Sequence, residues 1–443
     1  MTSYQRWRWS VCVWLCLTGW LCPQAARADG ASVPGARAPR YLLAQPTGYT
    51  NVLDAFDGAA LPDWSVTLGF RRTHSLLDIA RETLAEDARV AGAYRPVARS
   101  ELLTHALSLE LAAGVYRDVM VFLRLPLVLS DKRSLSQSAD APSGGSRFEP
   151  ADASGTLDPT QRSALFGHNE RSATRSGVPG LDVGIAWGIT SQYRTTYLPT
   201  WVIVLESRIG LGEVLRPCLT SSACSAGVNR GTLVLAVDSR WSYRYTWLEP
   251  YLGLRYAREW ATAAGSRFTP MGVPDDVDTG LPSDLQLTLG AAFMLWEDRA
   301  RFQRIALDVR GQAAHRSAGR DYSPLFDVLG ASTNPQLGAA VADDPLAPFY
   351  GLTQVDAHAQ LRAELALSAQ AAQYVRFRLG LSLMHMTPHL LTGAAACESS
   401  AAGPCANGRT NPLYRAAIDL PGQRFLLRGN LTYDLFASAS GQF

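Results

Sequence analysis

The chain is 443 residues long, with 47% hydrophobic and 18% charged residues and a formal charge of +2 from 41 basic and 39 acidic side chains. That length and apolar content allow a sizeable folded unit, while the balanced charge gives no bulk electrostatic case for a nucleic-acid partner. After residue 28 no apolar run approaches the roughly 20 residues that a membrane helix needs.

Arg6 and Arg8 precede the apolar run Val11 to Leu21, and Ala26-Arg27-Ala28 places small residues at the −3 and −1 positions of a cleavage site. Residues 1–28 therefore read as a secretory signal peptide, with Asp29 as the expected mature N-terminus. A lipoprotein signal needs a small residue just before its cysteine, whereas Cys16 and Cys22 each follow a leucine. Removal of 1–28 takes Arg6, Arg8 and Arg27 and no acid, so the formal charge becomes −1. Residues 29–61 carry Pro, Gly and Ala and then a short mixed run, Tyr49 to Phe56. This segment is a periplasmic tail or a plug folded into a lumen, and composition does not separate the two.

From about residue 62 the dominant signal is alternation. Positions 103, 107, 109 and 111 are leucine against Thr104, Ala106, Ser108 and Glu110, and Leu181, Val183, Ile185, Trp187 and Ile189 alternate with Asp182, Gly184, Ala186 and Gly188. A period of two puts each set on one face of a strand. The same pattern predicts twelve strands, over 63–74, 99–112, 119–130, 181–190, 200–210, 232–241, 248–260, 284–296, 303–314, 355–368, 374–385 and 425–436. Each matches the ~9–11 residues with which a tilted strand crosses a bilayer.

The connections alternate in length. Stretches such as 113–118, 243–247, 298–302 and 370–373 are tight, whereas 131–180, 261–283, 315–354 and 386–424 are long and rich in Gly, Pro, Ser and Asp. Short turns on one rim and long loops on the other describe an antiparallel outer-membrane β-barrel over 62–443, with extracellular loops and periplasmic turns. Phe443 is a terminal aromatic in phase with Leu431, Tyr433 and Leu435, and with Phe425 and Leu427. Such a terminus is a handle for the barrel-assembly machinery, and lipid with lipopolysaccharide is the expected surround.

One strand face is almost free of ionisable groups. The other carries Arg71, Glu110, Arg124, Asp182, Glu206, Arg208, Asp238, Glu249, Arg255, Asp308, Arg310, Asp356, His358, Arg362, Glu364, Arg376, Arg378, Arg428 and Asp434, which are expected to line a lumen. A basic residue facing lipid at the midplane costs about 2–4 kcal/mol, so strict sorting is what a bilayer selects. A secreted β-sandwich alternates too, but it tolerates charge on either face at its rims. Trp64, Trp187, Trp201, Trp241, Tyr256 and Trp260 fall at strand ends, where amphipathic rings suit the headgroup level.

Four cysteines remain after residue 28, and short-range closure in an oxidising compartment pairs Cys218 with Cys224 and Cys397 with Cys405. Zinc would want tighter spacing and flanking histidines, so no metal or other cofactor is expected. The acidic turn 274–280 lacks the spacing of a calcium loop. An enzymatic reading finds no support: His105, on the apolar face, has Leu107 two residues on, and the pair Asp356 and His358 has no serine nucleophile.

The stretch Gly114-Val115-Tyr116-Arg117-Asp118-Val119, followed by Phe122-Leu123-Arg124-Leu125-Pro126-Leu127, resembles a hairpin of Gram-negative outer-membrane barrels in the group named after the meta-pathway phenol-degradation protein. Residues 176–184 are similar to its Gly-rich strand entry, and Leu248-Glu249-Pro250-Tyr251 to its Pro-Tyr strand start. The resemblance implies passive passage or uptake of a small, often hydrophobic molecule, and carries over no residue role. The long cysteine-paired loops depart from that group's pattern. The competing expectations are a surface barrel that presents disulfide-closed loops to a partner and, third, an outer-membrane hydrolase.

Overall fold

The computed structural model describes residues 48–53, 63–83, 93–138, 165, 167, 169–192, 194–220, 224, 227–262, 268, 280–337, 349–372, 374–397, 411 and 413–442. The signal peptide, Cys405, Phe443 and most of the acidic turn 274–280 lie outside these residues.

Twelve long strands form one antiparallel meander: β1 (Trp64–Thr83), β2 (Ala93–Tyr116), β3 (Val119–Gln137), β4 (Gly180–Thr190), β5 (Thr200–Gly210), β6 (Thr232–Ser242), β7 (Leu248–Ala261), β8 (Ser283–Asp298), β9 (Gln303–Arg316), β10 (His358–Ala372), β11 (Val375–Met386) and β12 (Phe425–Gln442). Each pairs with the next, and β12 pairs back onto β1 from Ser65↔Gln442 to Arg81↔Phe425, so the barrel closes. All twelve predicted strands are present. Closure is what lets a sheet stand in lipid, because an open edge would leave backbone groups with no partner in hydrocarbon.

The outer wall is an apolar belt. Leu68, Leu109, Leu111, Ile185, Leu205, Val237, Leu254, Leu289, Leu365, Leu381 and Leu435 are all exposed, at 40–54% of their surface, and belong to the parity that the pattern assigned to lipid. A soluble protein does not display a continuous band of this kind. The chain is a transmembrane barrel of the outer-membrane type. Trp64, Trp187, Trp247 and Trp296 are also exposed, and with the stacked pair Trp201 and Trp241 they crowd the short-turn end, where the ring centroids of that pair lie 6.2 Å apart. Trp260 and Tyr256 lie toward the far end of β7, so among the described residues the exposed tryptophans are concentrated on the periplasmic rim. The tight turns need special backbone at two positions, Asp118 (φ 55°) and Phe302 (φ 54°).

β1, β2 and β3 exceed their predicted lengths chiefly at the extracellular end, and β12 at the periplasmic end, where Gln442 pairs with Ser65. β1, β2, β3 and β12 run to 20, 24, 19 and 18 residues, well beyond a bilayer crossing, and form a collar above the membrane. β-Bulges lie in this region, where the register shifts between Asp78 and Ile79 against β12 and between His105 and Ala106 against β3. An extra residue in one strand inverts which face each later side chain occupies.

That inversion corrects two expectations. Phe425 and Leu427 do not share the lipid face with Leu431 and Leu435; they turn inward and are 0% and 1% exposed. Arg428 is the residue skipped in the pairing with β1 and is exposed at the bulge rather than aligned with the inner charges. Asp356 is exposed as well, in the link before β10 rather than within it.

Leu205 faces outward at 53% exposed, whereas neighbouring Glu206 is buried against the lumen. Leu205→Arg should therefore cost about 2–4 kcal/mol of insertion free energy, while Glu206→Gln and Arg208→Gln leave assembly yield much closer to wild type. Heat-modifiable gel mobility after refolding reads the difference, and equal yields for all three would refute the face assignment.

Candidate lumen and mouth

The inner wall carries clusters of ion pairs built between strands. Glu110 on β2 pairs with Arg124 on β3 (2.7 Å), which also reaches Asp182 on β4 (3.7 Å), and Asp182 takes Arg208 of β5 through both carboxylate oxygens (2.6 and 3.2 Å). Glu206 meets Arg255 two strands away (3.3 Å). On the opposite wall Asp308, Arg310, Glu364 and Arg378 form one cluster, with Arg378 2.6 Å from Asp308 and 2.7 Å from Glu364. Asp434 of β12 lies between Arg71 and Arg362 (3.4 and 3.2 Å). Glu249 and Arg376 are buried lower on the same inner face.

A segment that is not part of the wall enters this space. The Tyr49 ring packs on Tyr251 of β7 (4.8 Å between centroids) and lies between the guanidinium groups of Arg240 and Arg310, at 5.2 and 5.4 Å. Thr50 hydrogen-bonds Ser242 (2.7 Å), and Leu53 is buried in an apolar patch with Ala112, Phe122, Ala186, Val202 and Val204. Two glycines make the niche. A Cβ on Gly253 would collide with the Tyr49 hydroxyl, and one on Gly290 with the Tyr251 ring. The Tyr251 hydroxyl donates to Asp308 (2.5 Å) and accepts from Arg310 (2.9 Å), which joins the niche to the lattice.

Above the membrane the inner face turns apolar. Leu77, Ile79, Val97, Ala98, Leu135, Phe425 and Leu427 of the collar form a core with loop residues that descend into the mouth. Helix α1 (Phe326–Gly330) brings Val328 and Leu329, and helix α2 (Ala416–Asp419) brings Ala417 and Ile418. Buried polar contacts hold these loops. Asp327 takes Arg175, Ser172 (2.7 Å) and the Cys218 backbone N–H (3.1 Å), so α1 is tied to two neighbouring loops. Cys218 is bonded to Cys224; Cys397 is disulfide-bonded too, while Cys405 lies outside the described residues. Arg81 of β1 donates to the Gln423 and Ala417 carbonyls (3.1 and 3.0 Å) and so anchors α2.

His358 and His389 stack face to face at the mouth, 3.8 Å apart. Each donates its Nδ1–H to a backbone carbonyl, of Asp356 (3.0 Å) and Thr387 (2.7 Å) respectively. No group of three or more metal-ligating side chains occurs among the described residues. His105 is on the outer wall and hydrogen-bonds Ser130 of β3 (3.0 Å), a pairing across the bulge that sequence spacing does not reveal. No carboxylate bonds its ring among the described residues, so the pair lacks the third member of a nucleophilic triad.

No protein-family model and no curated protein matches the chain. Several solved barrels are similar to it. An outer membrane channel from Pseudomonas putida F1 is 10% identical with a TM-score of 0.38, over 88% of this chain and 99% of that one. A Pseudomonas aeruginosa FadL homologue is also 10% identical, with a TM-score of 0.34 over 91% and 96% of the two chains. The outer membrane protease OmpT from Escherichia coli is 8% identical, with a TM-score of 0.28 over 86% and 96%. Likeness of this grade, to channels and a protease alike, assigns no activity.

Burial pushes the His389 imidazole down to about 4. A base held neutral in the fold contributes stability that is complete above its free value of 6.5 and is lost as pH falls toward 4. Asp419, pushed up to about 6 by burial, acts in the opposite sense: its contribution is present near pH 4 and lost as pH rises through 6. His389→Gln should therefore keep the mouth loops more protease-resistant than wild type as pH falls from 6.5 to 4. Limited proteolysis at stepped pH checks this, and parallel curves for the two proteins would refute it.

Proposed function

We propose that the barrel is a passive channel or uptake protein for a small molecule, at rest in a closed form. The observation that carries this reading is the content of the lumen. Twelve strands enclose more space than side chains alone fill, and less than an open porin. Part of that space is taken by residues 48–53, which are not wall but a separate strip of chain seated on a polar lattice. A segment of that kind can leave, whereas wall side chains cannot. On this reading residues 29–61 act as a plug, and Glu110, Arg124, Asp182, Glu206, Arg208, Arg255, Asp308, Arg310, Glu364 and Arg378 line the path behind it.

A second reading has its own support. The mouth loops form a packed core with a disulfide, so the barrel could instead serve as an anchor that presents a rigid surface to a partner. In either case assembly would engage the barrel-assembly machinery through Phe443, with lipopolysaccharide around the outer rim.

Planar-bilayer recordings separate the two. Tyr49→Ala should raise conductance several-fold over wild type, because it empties the niche between Arg240 and Arg310. Gly253→Val, which excludes the Tyr49 hydroxyl from its seat, should do the same without touching Tyr49. In the unplugged protein, Arg376→Gln/Arg378→Gln should move selectivity toward cations, since fixed charge sets which ion a narrow pore concentrates. Zero current in wild type and in both unplugged variants would leave the anchored-loop reading in front.

A further inference from the structure

The outward face of β1, β2 and β3 changes character toward its extracellular end. Leu68, Phe70 and Leu109 are exposed parts of the apolar belt. Arg72 comes next on β1 and sits directly across from His105 of β2, which in turn pairs with Ser130 of β3. One pair further out, Leu103 of β2 lies between His74 of β1 and Lys132 of β3. Lys132 is the one lysine in the chain.

Contacts fix which way these side chains point. The His105 ring stacks near Phe70, 6.4 Å between centroids, and its Nδ1 is hydrogen-bonded with the Ser130 hydroxyl (3.0 Å), so both belong to the lipid side. The register runs on without a shift from Ser130 to Lys132, and Asp131 between them is buried on the inner side against Thr104 (3.2 Å) and Arg133 (2.9 Å). Side chains alternate along a strand, so Lys132 points outward with Ser130, and Arg72 with Phe70. Both cations are exposed, and neither makes an ion pair or hydrogen bond among the described residues. The acids of this face are taken: Glu101 holds His74 Nε2 (2.7 Å), while Asp78 pairs with Arg99 (2.8 Å).

At ~3.3 Å per residue and a tilt of about 40°, the path along β1 from Trp64 on the periplasmic rim to Arg72 climbs roughly 20 Å, and to His74, level with Lys132, roughly 25 Å, which is about the height of the apolar band. The cluster therefore sits where acyl chains give way to outer-leaflet headgroups. The far wall differs at this end. Ile209 closes the outward row of β5 and Leu285 that of β8, both exposed, and the outward Arg258 of β7 lies over the Trp260 ring (5.6 Å). Two neighbouring cations without a counter-charge, on a wall that is otherwise apolar, are accounted for when the surrounding lipid supplies the anion.

We infer that Arg72, Lys132 and His105 form a binding site for the phosphate groups of lipopolysaccharide, the phosphorylated glycolipid of the outer leaflet. The two long side chains rise from β1 and β3, with backbones about 12 Å apart by strand spacing and rise, and can close over His105 and Ser130 from either side. A phosphate held there meets a guanidinium, an ammonium and the edge of an imidazole. Beneath it Leu68, Phe70 and Leu109 face acyl chains, so the site takes an amphiphile rather than a free anion. The periplasmic leaflet is not the source, because it meets the barrel at the tryptophan end. Whether the lumen conducts has no bearing on this site.

The test uses the full chain refolded in detergent without lipopolysaccharide. Amine-directed acetylation with mass mapping reads Lys132 directly, since no other side chain of the protein carries an amine. Intact lipopolysaccharide should protect Lys132 saturably, whereas lipopolysaccharide stripped of its phosphates, or inorganic phosphate at the same phosphate concentration, should not. Thermal melting followed by heat-modifiable gel mobility should show a matching upward shift with the intact lipid. Arg72→Gln/Lys132→Gln should melt as wild type does without lipid, and its half-saturating lipid concentration should rise about fivefold per cation removed, roughly 30-fold for the pair. Arg258→Gln should respond as wild type does. The proposal is overturned if intact lipopolysaccharide leaves Lys132 unprotected, if the dephosphorylated form protects it equally, or if the double variant or wild type and Arg258→Gln fail to separate in the melting series. Protection by inorganic phosphate alone would make this a free-anion site and equally overturn the lipid assignment. Should the double variant fail to fold, the wild-type labelling still decides, because it needs no substitution.

Discussion

The structure depends on one constraint: in hydrocarbon every backbone N–H and C=O must be paired within the protein. The closing ladder between β12 and β1 meets it, because without those paired residues the sheet would have two bare edges in lipid. Closure then fixes everything else about the wall. One side of each strand must be apolar to face acyl chains, and the polar residues have only the lumen to occupy. The leucine-rich outer belt and the charged inner lattice are two results of the same closure.

Inside, the lattice charges meet partners on the adjacent strand or on the next but one. Asp182 serves both Arg124 and Arg208, and Asp434 serves both Arg71 and Arg362. An ion pair roughly breaks even against the desolvation it costs, and the lattice arginines keep part of their surface in the lumen, Arg208 about half of it. The lattice is therefore less a source of stability than a means of fixing which side chains face one another. Tyr49 uses this surface through its ring, near two guanidinium groups, so a strip of chain outside the wall docks without adding another charge to neutralise.

Above the bilayer the physics changes from lipid to water. The collar of β1, β2, β3 and β12 is long enough to enclose a water-excluding interior, and the loops that fall into it supply leucine, valine and phenylalanine as a soluble domain would. The loops are then held by buried polar ties, among them Asp327, Arg81 and Asp419. The molecule is a membrane wall below and a small globular cap above, built from one chain.

The sequence by itself determined the strands and their faces, because the lipid imposes a period of two on each strand locally, and a local rule is legible in a local pattern. Leu205 against Glu206, or Ile185 against Asp182, needs no knowledge of the neighbours. It also disclosed the short and long rims, since turn length is local too, and the Cys218–Cys224 bond, whose partners are six residues apart. The tertiary structure decided what depends on register and on distant partners. The bulges beside Asp78 and His105 set Phe425 and Leu427 inward, left Arg428 at the rim and brought Ser130 to His105, and an inserted residue carries no mark in a pattern already two-fold. Tyr49 between Arg240 and Arg310, 191 and 261 positions along the chain, and the mouth loops tied through Asp327 to Arg175 and Cys218, exist only once the loops have chosen their places. Those choices come from burial and charge summed over the whole cap, which no window of sequence contains.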